Sequence, residues 1–575
     1  MHKFFFKIIK SAYKTDQKGV IKLNFLLILS SILESASVAI IFPILALLVN
    51  NSKENFFYDI NVLNLDKTNL VFYSLIIFLL FFVVKSLILL YFSWWKSGFV
   101  FKLNNIFSKK ILENYLYKNI EFYLKNKPSA LLRNSYEEVR KFVTAIDYFF
   151  RLLSEIFIFL FISIGLFIFQ PKVTLVIFIF FGLIGICYIG FTKNFQKKWS
   201  EKKIFFSGNV LQILQQAFEC IKYIKVSNTE KIQLKKHKIE IENLNKYSRY
   251  SAFFADVPKN FLETAGVIVL IIIIFTLYNN TTSNLNDLIP TLGLFAAASF
   301  RILPGLNRII GTIQLIYSMS ASIEIVYNDL NSLSKKNDIN ITSNIKLSKY
   351  IIFENVCYKY PESKNFIFKN LSLKINKNDF ICIKGASGIG KTTLIDLISG
   401  IISPTEGSIK IDDKNIKNEL DIKAWQRGIG YIPQSPLLFN GSILENITFF
   451  EKESEIDHKK VKDVVNFAEL DSFINQFKEK SNYKINERGS NLSGGQIQRI
   501  AIARSLYLNP EILICDEFTS SLDENLEEKI LNSLKKLAGK ITIVYISHNP
   551  KLMKIADKTI NLFKLENQQI GVQIV

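Results

Sequence analysis

Gly385-Ala386-Ser387-Gly388-Ile389-Gly390-Lys391-Thr392 follows the apolar run Phe380–Ile383 and leads into a helical pattern, Thr393–Leu397. A strand, a Gly-rich turn and a helix start form the setting in which such a string binds phosphate. Gly385, Gly388 and Gly390 let the loop amides, that of Ser387 among them, close around phosphate oxygens, and the helix end adds positive potential. Lys391 is placed for the β- and γ-phosphates and the Thr392 hydroxyl for Mg²⁺, with Thr393 beside them. Downstream, Glu511-Ile-Leu-Ile-Cys-Asp516-Glu517 is an apolar strand ending in two carboxylates. Asp516 suits the Mg²⁺ shell, and Glu517 suits a general base for an attacking water. The plainer alternative is a carboxylate pair capping the next helix. A position ~125 residues after a phosphate loop favours the catalytic alternative.

Between these motifs lies Leu492-Ser493-Gly494-Gly495-Gln496, with Gln498 and Arg499 beyond. Residues ~350–565 resemble the ATP-binding-cassette (ABC) ATPases, whose own signature is that pentapeptide. The resemblance implies ATP and Mg²⁺ as ligands and an α/β P-loop fold. It matches Tyr360 to the aromatic that stacks on adenine, and Gln434, in Tyr431-Ile-Pro-Gln-Ser, to the glutamine that reaches Mg²⁺ and the water. It matches Glu487-Arg-Gly to a segment before the signature, and Ser521-Leu-Asp523 to a loop that communicates across a dimer. His548 matches the histidine that contacts the γ-phosphate. Taken singly, Tyr360 could be a turn residue, Gln434 an ordinary polar residue after a strand, and His548 structural. In this family each ATP is sandwiched between the phosphate loop of one copy and the signature of another, so Ser493, Gly494, Gly495 and Gln496 would face the partner's nucleotide. One intact set per chain implies a homodimer.

The first ~325 positions are different. The chain of 575 residues is 49% hydrophobic with 50 Phe, and the apolar residues crowd into runs long enough to cross ~30 Å of hydrocarbon. Six spans are expected, at 22–49, 69–97, 145–169, 173–196, 258–278 and 286–318. Disorder and a wholly soluble enzyme are excluded by this composition. The net charge of +21 does not call for nucleic acid, because Lys and Arg flank the apolar runs as the positive-inside rule requires. Met1–Lys22 holds six Lys and one Asp, residues 98–144 and 197–257 are Lys-rich, and 279–285 has no cation. The N-terminus, both long connections and the last third are therefore expected in the cytoplasm. The run after Lys22 is too long for a cleavable signal. Phe4, Phe5, Phe6, Ile8 and Ile9 among Lys3, Lys7 and Lys10 suggest a helix on the membrane surface. The long connections read as helices leaving the bilayer and returning, with tips near Tyr123–Leu132 and Tyr223–Glu230. Phe56, Phe57, Ile60 and Leu63 suggest a small external helix. Five cysteines without CxxC spacing suggest neither zinc nor disulfides. The expected organisation is a transmembrane domain at 1–326, a polar linker at 327–348 and a nucleotide-binding domain at 349–575.

Six spans ahead of a cassette resemble the type IV (exporter-like) ABC transporters: an all-α transmembrane domain of six helices followed by an α/β P-loop ATPase, with the tips as coupling helices. Ionisable residues inside spans are costly and point to substrate. Lys85, Lys259, Arg301 and Arg308 stand against Glu34 and Glu263, an excess of cation suited to phosphate. Snorkelling, or pairing with Glu34 or Glu263, is the structural alternative. Val257-Pro-Lys-Asn-Phe-Leu-Glu263 and Phe300-Arg-Ile-Leu-Pro-Gly-Leu-Asn-Arg308 resemble stretches of the PglK-type flippases for lipid-linked oligosaccharides, with Lys for Arg at 85 and 259. The resemblance implies an ATP-hydrolysing translocase in a bacterial inner membrane. Its partners would be a second copy, membrane lipids and a polyprenyl-pyrophosphate-linked oligosaccharide, without nucleic acid. The alternatives are an exporter of another amphiphile (lipid A core, drug or peptide) and an ATP-gated channel or regulatory receptor.

Overall fold

The computed structural model describes residues 2–40, 67–169, 171–280, 304–332, 345–361, 363–519, 522–547, 553–564 and 570–574. Two compact units divide it: Met1–Lys118 with Asn126–Lys335, and Asn119–Lys125 with Lys336–Val575.

The first unit is helical. Helix α1 (His2–Thr15) precedes α2 (Gln17–Ala39), and α3 runs Lys67–Leu116. Short helices α4 (Ile120–Lys125), counted with the second unit, and α5 (Pro128–Arg133) follow, then a π-turn at Asn134–Glu138 and α6 (Val139–Phe169). Helix α7 (Pro171–Glu219), the short α8 (Ile221–Val226) and α9 (Glu230–Asn280) come next. The last pair, α10 (Pro304–Ser318) and α11 (Ser320–Asn331), meet at a 57° bend. Among the described residues Gln17–Ser37, Phe72–Leu116 and Pro128–Gly165 are long and apolar enough to cross a membrane, and the bent pair makes a fourth. The runs 173–196 and 258–278 lie within α7 and α9; residues 41–49 and 286–303 of the expected spans, and the external helix of 51–66, fall outside the described residues.

Helices α3, α7 and α9 have 50, 49 and 51 residues. At 1.5 Å per residue each is about 75 Å long, far beyond the ~30 Å of hydrocarbon. The expectation of helices leaving the bilayer therefore holds, and α4, α5 and α8 stand at the expected tips. Leu79, Val84, Leu87 and Leu90 of α3 are exposed, a surface suited to lipid. Ile158, Ile162, Phe181, Leu262, Leu306 and Ile310 bury one another inside the bundle.

Below the spans, burial is partly ionic. Glu138, wholly buried, accepts from Lys141 at 2.8 Å and lies 3.7 Å from the Arg133 Nε. Arg133, also buried, donates to the Ile204 carbonyl at 2.8 Å. Gly208 admits this arginine, since a Cβ there would sit 2.5 Å from Nη1.

In the second unit, β1 (Tyr350–Tyr358), β2 (Phe368–Asn376), β4 (Glu406–Ile411) and β5 (Lys414–Asn415) form an antiparallel sheet in the order β2-β1-β4-β5. A second sheet has the order β12-β11-β3-β10-β9-β6. Its strands β3 (Phe380–Gly385), β6 (Ile429–Ile432), β9 (Ile512–Asp516), β10 (Thr542–Ile546) and β11 (Lys558–Lys564) run parallel, and only β12 (Ile570–Ile574) is antiparallel. Strands β9 and β10 are buried at every residue, as largely apolar strands in the middle of a parallel sheet should be. Helix α12 (Lys391–Ile398) packs on this sheet, and the fully buried Trp425 donates its indole N–H to the Ile398 carbonyl at 2.9 Å.

The expected linker is shorter than 327–348. Residues 327–331 complete α11, and Leu347, 1% exposed, belongs to the second unit's core with its N–H on the Glu511 carboxylate. Residues 333–344 lie outside the described residues.

Candidate functional site

Parallel strands place the loops that follow them at one edge, where ligands of such sheets bind. Gly385 ends β3, Gln434 follows β6, and Asp516 ends β9 with Glu517 next to it. The topology thus brings together three sequence-predicted segments from positions spread over about 130 residues.

The phosphate loop is folded as its glycines require. Gly390, the residue before α12, has φ +102°, and a Cβ there would lie 2.9 Å from the Ile367 side chain. At Gly385 a Cβ would lie 2.7 Å from the Leu562 carbonyl oxygen. Lys391, 8% exposed, folds back and donates to the Gly385 carbonyl at 2.9 Å. Thr392 is exposed and Thr393 buried; the Thr393 hydroxyl lies 3.2 Å from that of Tyr360. The Tyr360 ring packs edge-on against Tyr358, centroids 5.3 Å apart.

The carboxylates differ in setting. Asp516 is 9% exposed, and burial together with the Glu517 charge pushes its pKa up, while Lys391 pulls it down. Glu517 adopts φ +42° and accepts from the Gln434 amide at 2.9 Å. A left-handed non-glycine residue is strained, and the turn aims Glu517 away from the strand. Asp396, on α12, was not among the expected site residues. Burial, then the charge of Asp516, raises its pKa to about 6.

The signature segment forms the start of α13 (Gly494–Tyr507). Ser493 caps it: its hydroxyl accepts from the Gln496 N–H at 3.3 Å, and its own N–H donates to the Gln496 side chain at 2.8 Å. Ser493 and Gly494 are exposed, and Gly495 and Gln496 are half-buried. Gln496 is thus occupied as a capping residue within its own chain. His548 and Ser521 lie outside the described residues.

These residues fit a nucleotide phosphate and Mg²⁺. A cradle that a Cβ would fill, an enclosed lysine and a nearly buried aspartate supply the shape, the cation and the hard oxygen ligand.

In the first unit the expected cations have different settings. Arg308 binds Glu155 through two hydrogen bonds, Nε to Oε1 at 2.6 Å and Nη2 to Oε2 at 3.1 Å. Glu155 lies inside the apolar run 145–169 and belonged beside Glu34 and Glu263 in the balance of charge; its position within a span was the signal. Lys85, half-buried, donates to Ser37 at 2.8 Å and stands over the Phe82 ring, with no carboxylate paired to it among the described residues. Lys259 is exposed, and Arg301 lies outside the described residues.

The ABC transporter family matches residues 368–520, and the ABC transporter transmembrane region matches residues 20–301. The heterocyst differentiation ATP-binding protein HepA of Nostoc sp. is 33% identical over 300 residues, 52% of this chain and 48% of that protein. A putative export ATP-binding/permease protein of Rickettsia typhi is 34% identical over 268 residues, 46% of this chain and 44% of that one. The chain thus spans less than half the length of these curated relatives in the matched stretches. In fold it resembles a bacterial Atm1-family ABC exporter solved with ATP bound, with a TM-score of 0.77 at 16% identity over 96% of this chain and 94% of the other. A helical membrane region followed by an α/β ATP-binding domain, each matched by its own family, makes this chain an ABC transporter with the type IV exporter fold.

Proposed function

We propose that the chain hydrolyses ATP as one half of a homodimeric exporter and thereby moves a polyprenyl-pyrophosphate-linked oligosaccharide across a bacterial inner membrane, its ATP-binding domain in the cytoplasm. The observation that supports the catalytic part is the Gln434–Glu517 hydrogen bond of 2.9 Å at the edge where Lys391 and Asp516 also converge. Lys391, with the loop amides of residues 385–390, binds the phosphates. Thr392, Gln434 and Asp516 would hold Mg²⁺, which when bound neutralises charge on the β- and γ-phosphates. Glu517 takes a proton from the attacking water and Gln434 orients it; His548 is the sequence's candidate for a γ-phosphate contact. Tyr360 stacks on the adenine. Ser493, Gly494, Gly495 and Gln496 complete the site of the partner copy.

The substrate part leans on Lys85, a cation in a span with no described carboxylate paired to it, and on Lys259 and Arg301 as further candidates. The Arg308–Glu155 pair favours the second reading, an exporter of another amphiphile, because it removes one cation from the set.

One experiment addresses both parts: ATPase and lipid-flipping rates of the full chain in proteoliposomes. Glu517→Gln should bind ATP and lose turnover by a factor of about 10²–10⁴. Lys85→Gln should slow flipping of the pyrophosphate lipid several-fold and leave basal ATPase unchanged. Wild-type turnover in Glu517→Gln overturns the base, and unaltered flipping in Lys85→Gln overturns the substrate.

A further inference from the structure

A cavity of about 660 Å³ lies where α2 begins and the apolar run of α3 ends, lined by Asp16, Lys18, Lys22, Trp94, Trp95 and Lys102 among others. Its size is that of small-ligand sites. Its charge is uneven. Lys102 pairs with Asp16 at 2.6 Å, and the other Asp16 oxygen accepts the Gly19 N–H at 2.9 Å, so the one lining carboxylate is satisfied. Lys18 and Lys22 are exposed, and neither is paired with a carboxylate among the described residues. Four apart on α2, they share a face.

Aromatic rings fix the depth. Lys22 stands 4.9 Å from the centroid of Trp95, which stacks on Phe99 at 5.8 Å and 9°. Trp94 is 74% exposed. Two tryptophans at the end of an apolar run mark the interfacial belt. Along α3, Lys102 is about 10 Å beyond Trp95, within reach of the headgroup layer by a flexible stem. A second basic cavity, lined by Lys10, Lys14 and Lys110, sits deeper. Lys110 is about 22 Å beyond Trp95 along the same helix, outside a headgroup layer only about 5–8 Å thick. Depth therefore selects the first cavity for a lipid.

We infer that the cavity between Lys18, Lys22, Trp94 and Lys102 holds the phosphodiester headgroup of an anionic phospholipid of the cytoplasmic leaflet. Lys18 and Lys22 supply the charge for the phosphate, and the tryptophans flank the glycerol region. This site is independent of the transported substrate.

Native mass spectrometry of the full chain in mild detergent tests it, with added phosphatidylglycerol, phosphatidylcholine or inorganic phosphate. The wild type should retain phosphatidylglycerol over phosphatidylcholine, and equimolar inorganic phosphate should not displace it. Each neutralised lysine should weaken retention roughly five-fold, so Lys18→Gln with Lys22→Gln should weaken it about 25-fold. Lys110→Gln, which removes the same charge at greater depth, should change nothing. Equal retention of both lipids, displacement by inorganic phosphate, undiminished retention in the double variant, or equal loss in Lys110→Gln would each overturn the assignment. An unchanged unfolding temperature of the double variant shows that it is folded.

Discussion

Asp396 sits one turn beyond Lys391, close enough to Asp516 for the two charges to oppose each other, and burial adds to that cost. Its pKa of about 6 in the folded chain stands above the ordinary 3.8. The sign follows: a raised carboxylate contributes stability that is full below about pH 4 and is lost as pH climbs through about 6. Asp396→Asn should remove this dependence and, at pH 8 without nucleotide or metal, stabilise the second unit by about 1–2 kcal/mol after allowance for partial exposure. Thermal unfolding at pH 4.5 and pH 8 in EDTA checks it, and a wild-type pH slope in the variant would count against the opposition of charges. The residues Gly385–Thr392, Asp516 and Glu517 were legible because their chemistry is contiguous in sequence. Asp396 and Glu155 were not. What matters for them is a partner 120 or more residues away, and a single chain read linearly carries no such distance.

At the scale of elements, the strands and the long helices followed from apolar period and length. The π-turn at Asn134–Glu138 and the 57° bend at Met319 did not, for no proline or glycine marks either. The π-turn matters because it ends on Glu138. A wholly buried carboxylate is tolerable only because Lys141 and Arg133 compensate it. Glu138→Ala should leave Arg133 buried and uncompensated, destabilising the first unit by about 3–5 kcal/mol. Lys203 nearby, which burial and Lys141 already push to a pKa of about 8, would then lose the one opposing charge that raises it. The unfolding temperature of the purified variant, with Glu138→Gln as the isosteric control, measures the cost. A loss below 1 kcal/mol would mean that water reaches the arginine.

For the whole molecule the proposal is a site shared between two copies. Chains carrying Lys391→Ala lack a working phosphate loop, and chains carrying Ser493→Arg lack a working signature. Each should be inactive alone. Mixed in equal amounts, half of the dimers would pair the two defects on opposite partners, leaving one intact site of two, so ATPase should return to about a quarter of the wild-type rate. No recovery on mixing would show that each chain completes its own site. The expectation of such pairing rests on one chain holding each motif once.

The length of α7 and α9 has a mechanical consequence. If the expected run of each helix fills some 30 Å of hydrocarbon with its outer end flush with the bilayer, about 45 Å of the 75 Å overhangs in water. A tilt of only 10° pivoting at the water boundary carries the far end of such a beam about 8 Å sideways, more than one helical pitch. Pro258, which interrupts the hydrogen-bond ladder of α9 at the start of its apolar run, is where that beam is weakest. Small rotations and large strokes are thus linked by geometry alone, with the proline as the natural fulcrum.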